Sequence, residues 1–166
     1  MDQKTFLVMY RAAHNNAVDL LSEAELLFDR KSYARAYFLA FAGLEEIAKS
    51  QLAADAFTGF IEEKQFWAYF KSHDKKIGRM QWASLDAEEY LDFEQETYLE
   101  IEHPTTAKRV NALYAHFVDK EVKSPKDLFT EESARAIIHT LRVAIHKIIE
   151  NTEHWGHQIG TKGFMK

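Results

Sequence analysis

The chain has 166 residues, 46% of them hydrophobic, with 6 Gly, 2 Pro, no Cys and a net charge of −5. That length suits one domain with one sizeable core, and the composition excludes intrinsic disorder, disulfides and thiolate metal sites. The acidic balance does not advertise nucleic-acid binding, although a local basic face can act within an acidic protein.

The scarcity of Gly and Pro favours long helices. From Lys4 to Asp29 the apolar positions Leu7, Tyr10, Ala13, Ala17, Leu20, Leu21, Ala24, Leu27 and Phe28 recur at spacings of three and four, which predicts an amphipathic helix. The start, MDQKTFLVMYRAAHNN, lacks the apolar region and cleavage site of a signal peptide, so a cytoplasmic location is expected. No run of about 18 apolar residues is free of charge, so no membrane span is expected.

Arg30 and Lys31 make a short break, and Ser32 is the expected N-cap of a second helix running to Phe57 and closed by Gly59. Between Tyr33 and Leu44 only Arg35 is charged, and a helix apolar on nearly every side belongs at the centre of a bundle. Ile61 to Trp82 is aromatic-rich, and Ser72 is placed to cap a new helix at SHDKKIGRM, giving two short helices. Residues 84–102 hold eight acids and no Lys or Arg, which reads as a solvated helix or loop, or as an acidic surface for a basic partner.

His103-Pro104 marks a boundary. Thr105 or Thr106 caps a helix with Val110, Leu113, Tyr114 and Phe117 on its expected buried face. Asp119 to Phe129 reads as a loop. Thr130 opens the last long helix, with Ile137, Ile138, Leu141, Ile145, Ile148 and Ile149 as its core face. Residues 155–166 read as a tail. The expectation is one all-α domain over residues 1–166.

Three groups of residues could carry chemistry. Glu45, Glu46 and Lys49 lie among Phe41, Leu44, Ile47, Ala48 and Leu52, so their acids need partners. Glu45 and Lys49 have the favourable i,i+4 order, and Arg35 falls on the face of Glu46. This trio reads either as a structural ion-pair network or as a functional polar pocket. A di-metal carboxylate bundle wants Glu-x-x-His, but Lys49 stands three after Glu46, so no metal and no cofactor is expected.

The second group is His73 and Lys76, a basic pair at a helix start that could receive phosphate or merely be solvated. The third is Arg109 and His116. A helix would place residues seven apart on one face, about 10 Å apart axially, which suits a site assembled from two copies across a dimer axis. Histidine transfers protons near neutral pH and arginine stabilises phosphoryl charge, whereas the bland reading is an exposed pair. His139 and His146 lie too far apart on one helix to bind a single metal, and His154 and His157 flank Trp155-Gly156.

The stretch SYARAYFLAFAGLEEIAKSQL resembles the signature helix of the AbiV family of bacterial abortive-infection proteins, a small-residue helix ending in Glu-Glu-x-x-Lys. His73-Asp74-Lys75-Lys76 after an aromatic stretch, and then the basic helix with Leu113-Tyr114, match in order from about Asn15 to about Ile149. The resemblance implies a HEPN-like helical bundle of about five to seven helices, a homodimer, and a phage-defence effector acting against phage protein synthesis. Many HEPN domains are metal-independent RNases with an Arg-x(4–6)-His motif, which Arg109 and His116 fit with six residues between them. The residue after the arginine, usually polar in those nucleases, is Val110 here. The resemblance therefore implies Arg109 and His116 as catalytic residues and Glu45, Glu46, Lys49, His73 and Lys76 as a polar binding pocket. RNA and a phage or translation-related protein are the implied partners. The alternative is a non-enzymatic helical module that binds a protein or a nucleotide.

Overall fold

A computed structural model describes residues 2–76 and 105–155 of the chain. Helix α1 spans Gln3–Asp29, and Asp2 caps it by accepting the Thr5 N–H at 2.8 Å. Lys31 takes a left-handed conformation at φ 58, and the chain folds straight back into α2, Tyr33–Phe57. Ser32 occupies the N-cap position, but its side chain makes no capping bond. Thr58 closes α2, and Gly59 follows at φ 73, a conformation that glycine adopts without steric cost.

As its apolar sequence requires, α2 lies at the centre. Tyr37, Phe41, Leu44 and Leu52 are fully buried. Helix α3, Glu63–Phe70, sets Phe66 into the core, edge-on to Phe6 with ring centroids 5.0 Å apart. The expected break at Ser72 is present: its hydroxyl accepts the Lys75 N–H at 3.3 Å, and residues 73–76 are helical. The acidic stretch 84–102 and the His103-Pro104 boundary lie outside the described residues.

Thr105 caps α4, Thr106–Asn111, by accepting the Lys108 N–H at 3.2 Å. The expected helix through Phe117 is not formed. α4 ends at Asn111, and the chain turns into an antiparallel hairpin, β1 His116–Val118 and β2 Glu121–Lys123, with Phe117 opposite Val122. Asp119 and Lys120 form the loop, both left-handed (φ 52 and φ 67), the conformation that matches the twist of a two-residue hairpin turn. Tyr114, Phe117 and Val122, far from forming a buried helix face, are exposed.

The stretch expected as loop holds the rest of the hairpin and a short helix, α5, Pro125–Leu128. Ser124 precedes α5 and donates its N–H and hydroxyl to Asp127. Helix α6, Glu131–Trp155, opens as expected at Thr130, whose hydroxyl accepts the Ser133 N–H at 3.3 Å. Ile137, Ile138, Leu141 and Ile145 are buried, whereas Ile148 and Ile149 lie outside the described side chains. α6 crosses α2 so closely at Gly43 that a Cβ there would meet the Leu141 side chain. Tyr33 donates to Glu131 at 2.9 Å, and Arg142 pairs with Glu25 at 2.6 Å, fastening α6 to the first two helices. The architecture is an all-α bundle carrying one small hairpin.

Candidate functional site

The polar residues of α2 sit where its apolar surface passes under the helical turn at residues 73–76 and under α4. Glu45 is only 6% exposed, so its carboxylate needs compensation from protein groups. Three side chains from two other segments of chain supply it. His73 Nδ1 lies 2.5 Å from Glu45 Oε1, Lys76 Nζ lies 3.8 Å from the same oxygen, and Arg109 Nε lies 3.6 Å from Oε2. Two of these partners come from one helical turn, which presents residues three apart on a common face. The third comes from α4, which is tied to that turn by the Thr106 hydroxyl donating to Asp74 at 3.1 Å.

The exposures within this cluster differ, and so do the roles open to each group. Lys76 is buried, whereas the His73 side chain is 46% exposed. Burial pushes the Lys76 ammonium below its ordinary range; Glu45 and Glu46 pull it back, and Lys49 and Arg109 add to the fall. Lys49 pairs with Glu46, not with Glu45 as the i,i+4 spacing predicts. The cause is that Glu45 points inward, toward residues distant in sequence, and Glu46 is left beside Lys49. Lys49 also stands 5.6 Å from the centre of the Phe70 ring, and Arg109 5.7 Å from that of Phe38. Arg35 is exposed, and its expected kinship with Glu46 plays no part.

The two sites that the sequence presents separately are therefore joined at one end. Arg109 belongs with Glu45, His73 and Lys76. His116 stands on β1, opposite Lys123, so Arg109 and His116 do not share a helix face; the helix that would align them ends five residues before His116. His116 Nε2 is buried and takes no hydrogen bond. Sequence spacing gave no signal for Phe38, Phe70 or the Asp74–Thr106 link, because each depends on tertiary placement. Among the described residues, no three His, Asp or Glu side chains converge as a metal site would need. No helix of the described residues is long and apolar enough to cross a membrane.

The geometry provides a buried acid that orients a partly exposed imidazole, ringed by lysine and arginine. Such a group of side chains can hold an anion and move a proton. The family model HEPN_AbiV, described as AbiV, matches residues 6–146, which takes in every residue of this cluster. No curated protein and no solved structure matches.

Proposed function

Because this chain belongs to the AbiV family of HEPN proteins, we propose that it is an abortive-infection effector that acts against phage protein synthesis by cutting RNA at the Glu45 cluster. The observation that carries the reading is the arrival of Arg109 beside the pocket of Glu45, His73 and Lys76. Arg109 holds the scissile phosphate, and His116 transfers a proton to or from the reacting oxygens. Neither role calls on a metal. The working form is a cytoplasmic homodimer, with the sites of two copies facing one another.

RNA incubated with the full chain in EDTA tests this. Cleavage is expected from the unaltered protein, with a fall of about 100-fold or more in His116→Ala and Arg109→Ala, the usual scale for a proton-transfer or electrostatic group. No cleavage, even with phage components added, overturns the nuclease. Equal cleavage by the variants overturns the assignment of these two residues.

A second reading is a non-enzymatic effector that binds a phage or translation-related protein. The exposed Tyr114, Phe117 and Val122 around the hairpin favour it, since aromatic and aliphatic side chains on one protruding element suit a protein contact. Loss of phage protection on changing Phe117 to Ser, with RNA cleavage absent throughout, selects this reading.

A further inference from the structure

We infer that His73, not His116 alone, is a proton-transfer residue of this site, with Glu45 as its positioning residue; the inference rests on the RNA-cleaving reading. The geometry of one imidazole carries it. The close approach of Nδ1 to a carboxylate oxygen makes Nδ1 the protonated nitrogen, donating to Glu45. Nε2 then carries the lone pair. The ring is 46% exposed while Glu45 is nearly fully buried, so the ring is anchored at its inner edge and open toward solvent. A buried carboxylate that fixes the tautomer and orientation of an imidazole, and then stabilises its protonated form, is the arrangement by which a histidine becomes an efficient base.

The neighbours suit a phosphodiester substrate. Arg109 turns Nε to Glu45, which leaves its two Nη groups outside that contact. Lys76 lies against the same carboxylate, and Lys49 stands on the same helix one turn further on. An RNA phosphate held by Arg109 would bring its ribose 2′-hydroxyl toward the exposed side of the His73 ring, while the buried Lys76 acts on the site through Glu45.

In the step that follows, His73 Nε2 takes the 2′-hydroxyl proton as the 2′-oxygen bonds to phosphorus. The bond from phosphorus to the 5′-oxygen breaks, and that oxygen takes a proton from His116. The products are a 2′,3′-cyclic phosphate and a 5′-hydroxyl, and the two histidines exchange their protons with water before the next turnover. No oxidant, reductant or second substrate is involved.

The test uses the full chain and a fluorescent RNA. His73→Asn keeps a donor for Glu45 but has no base, and His73→Ala opens a space that free imidazole can enter. The expected result is a loss of about 100-fold or more in His73→Asn with unaltered Tm, and recovery of His73→Ala on adding imidazole. Wild-type activity in His73→Asn overturns this inference and leaves the Arg109 and His116 assignment standing. A loss in His73→Asn without imidazole recovery in His73→Ala assigns His73 a structural role and also overturns it. An inactive wild-type protein overturns the nuclease reading itself, and this inference with it.

Discussion

Glu45→Gln is the perturbation that asks most of the cluster. It removes one charge, keeps the shape of the side chain, and leaves an acceptor for His73. At an effective dielectric of about 20, a unit pair near 4 Å is worth about 4 kcal/mol before desolvation is counted. Glu45 has two such contacts, with Lys76 at 3.8 Å and with Arg109 at 3.6 Å. The Arg109 contact is discounted, because its side chain is 29% exposed and water screens it. The Lys76 contact is the dry one, with both side chains below a tenth exposed. Removing one partner of a buried pair costs about 3–5 kcal/mol, because the other charge is stranded. The acceptor retained by Gln places this change near the lower end, at about 3 kcal/mol. Urea unfolding of Glu45→Gln, Lys76→Met and the double variant measures it. The double variant is expected to lose less than the sum of the singles, by about 1–3 kcal/mol, since Lys76→Met removes the stranded charge. Strictly additive losses, or a Glu45→Gln variant within about 0.5 kcal/mol of wild type, would refute the reasoning.

The same pair has a pH signature. A lysine whose folded pKa is lowered opposes folding while it is charged, so stability rises as pH climbs from that lowered value toward 10.5. Glu45→Gln steepens this rise because it deletes the main group that holds Lys76 charged; equal alkaline slopes in the two proteins count against it. In Gly43→Ala, a new Cβ would stand 2.5 Å from Leu141 Cδ2 and 3.1 Å from Cδ1. The gain of about 1 kcal/mol in helix propensity is then outweighed by overpacking of about 1–3 kcal/mol. A lowered Tm is expected, and an unchanged or raised Tm would show that α2 and α6 can separate at no cost. His139 on α6 is held below its ordinary value near 6.5, first by burial and then by Arg142. The unfolded chain therefore takes up the proton first as pH falls, and this contribution is complete above about 6.5 and lost toward the lowered folded value. His139→Gln flattens that acid-side loss in a pH series of urea midpoints; an unaltered slope disproves it.

The long helices were legible because their apolar spacing and their burial coincide. α1 and α2 begin and end within a residue or two of expectation, and Ser72, Thr105 and Thr130 stand where caps were expected. The segment after Asn111 was not legible. Val110, Leu113, Tyr114 and Phe117 have helical spacing, yet that stripe meets no core, and each hairpin strand is only three residues long. Its turn is made by Asp119 and Lys120 in left-handed conformations without a glycine to announce them. For the site, the burial of Glu45 followed from the apolar residues around it. Its partners did not, because His73, Lys76 and Arg109 reach it from segments far along the chain, and helical spacing ranks only near neighbours such as Lys49. The choice of Glu46 by Lys49 is decided by which of two adjacent acids faces inward, and adjacent positions carry too little periodic signal to say.

None of the α4 side chains is buried; two polar links, Thr106 to Asp74 and Arg109 to Glu45, hold it, together with Arg109 over the Phe38 ring and the buried Ala112 just past its end. α2 and α6, by contrast, are locked by aromatic and aliphatic packing. The hold on Arg109 therefore rests largely on charge interactions that salt weakens, whereas the packing of α2 and α6 is indifferent to salt.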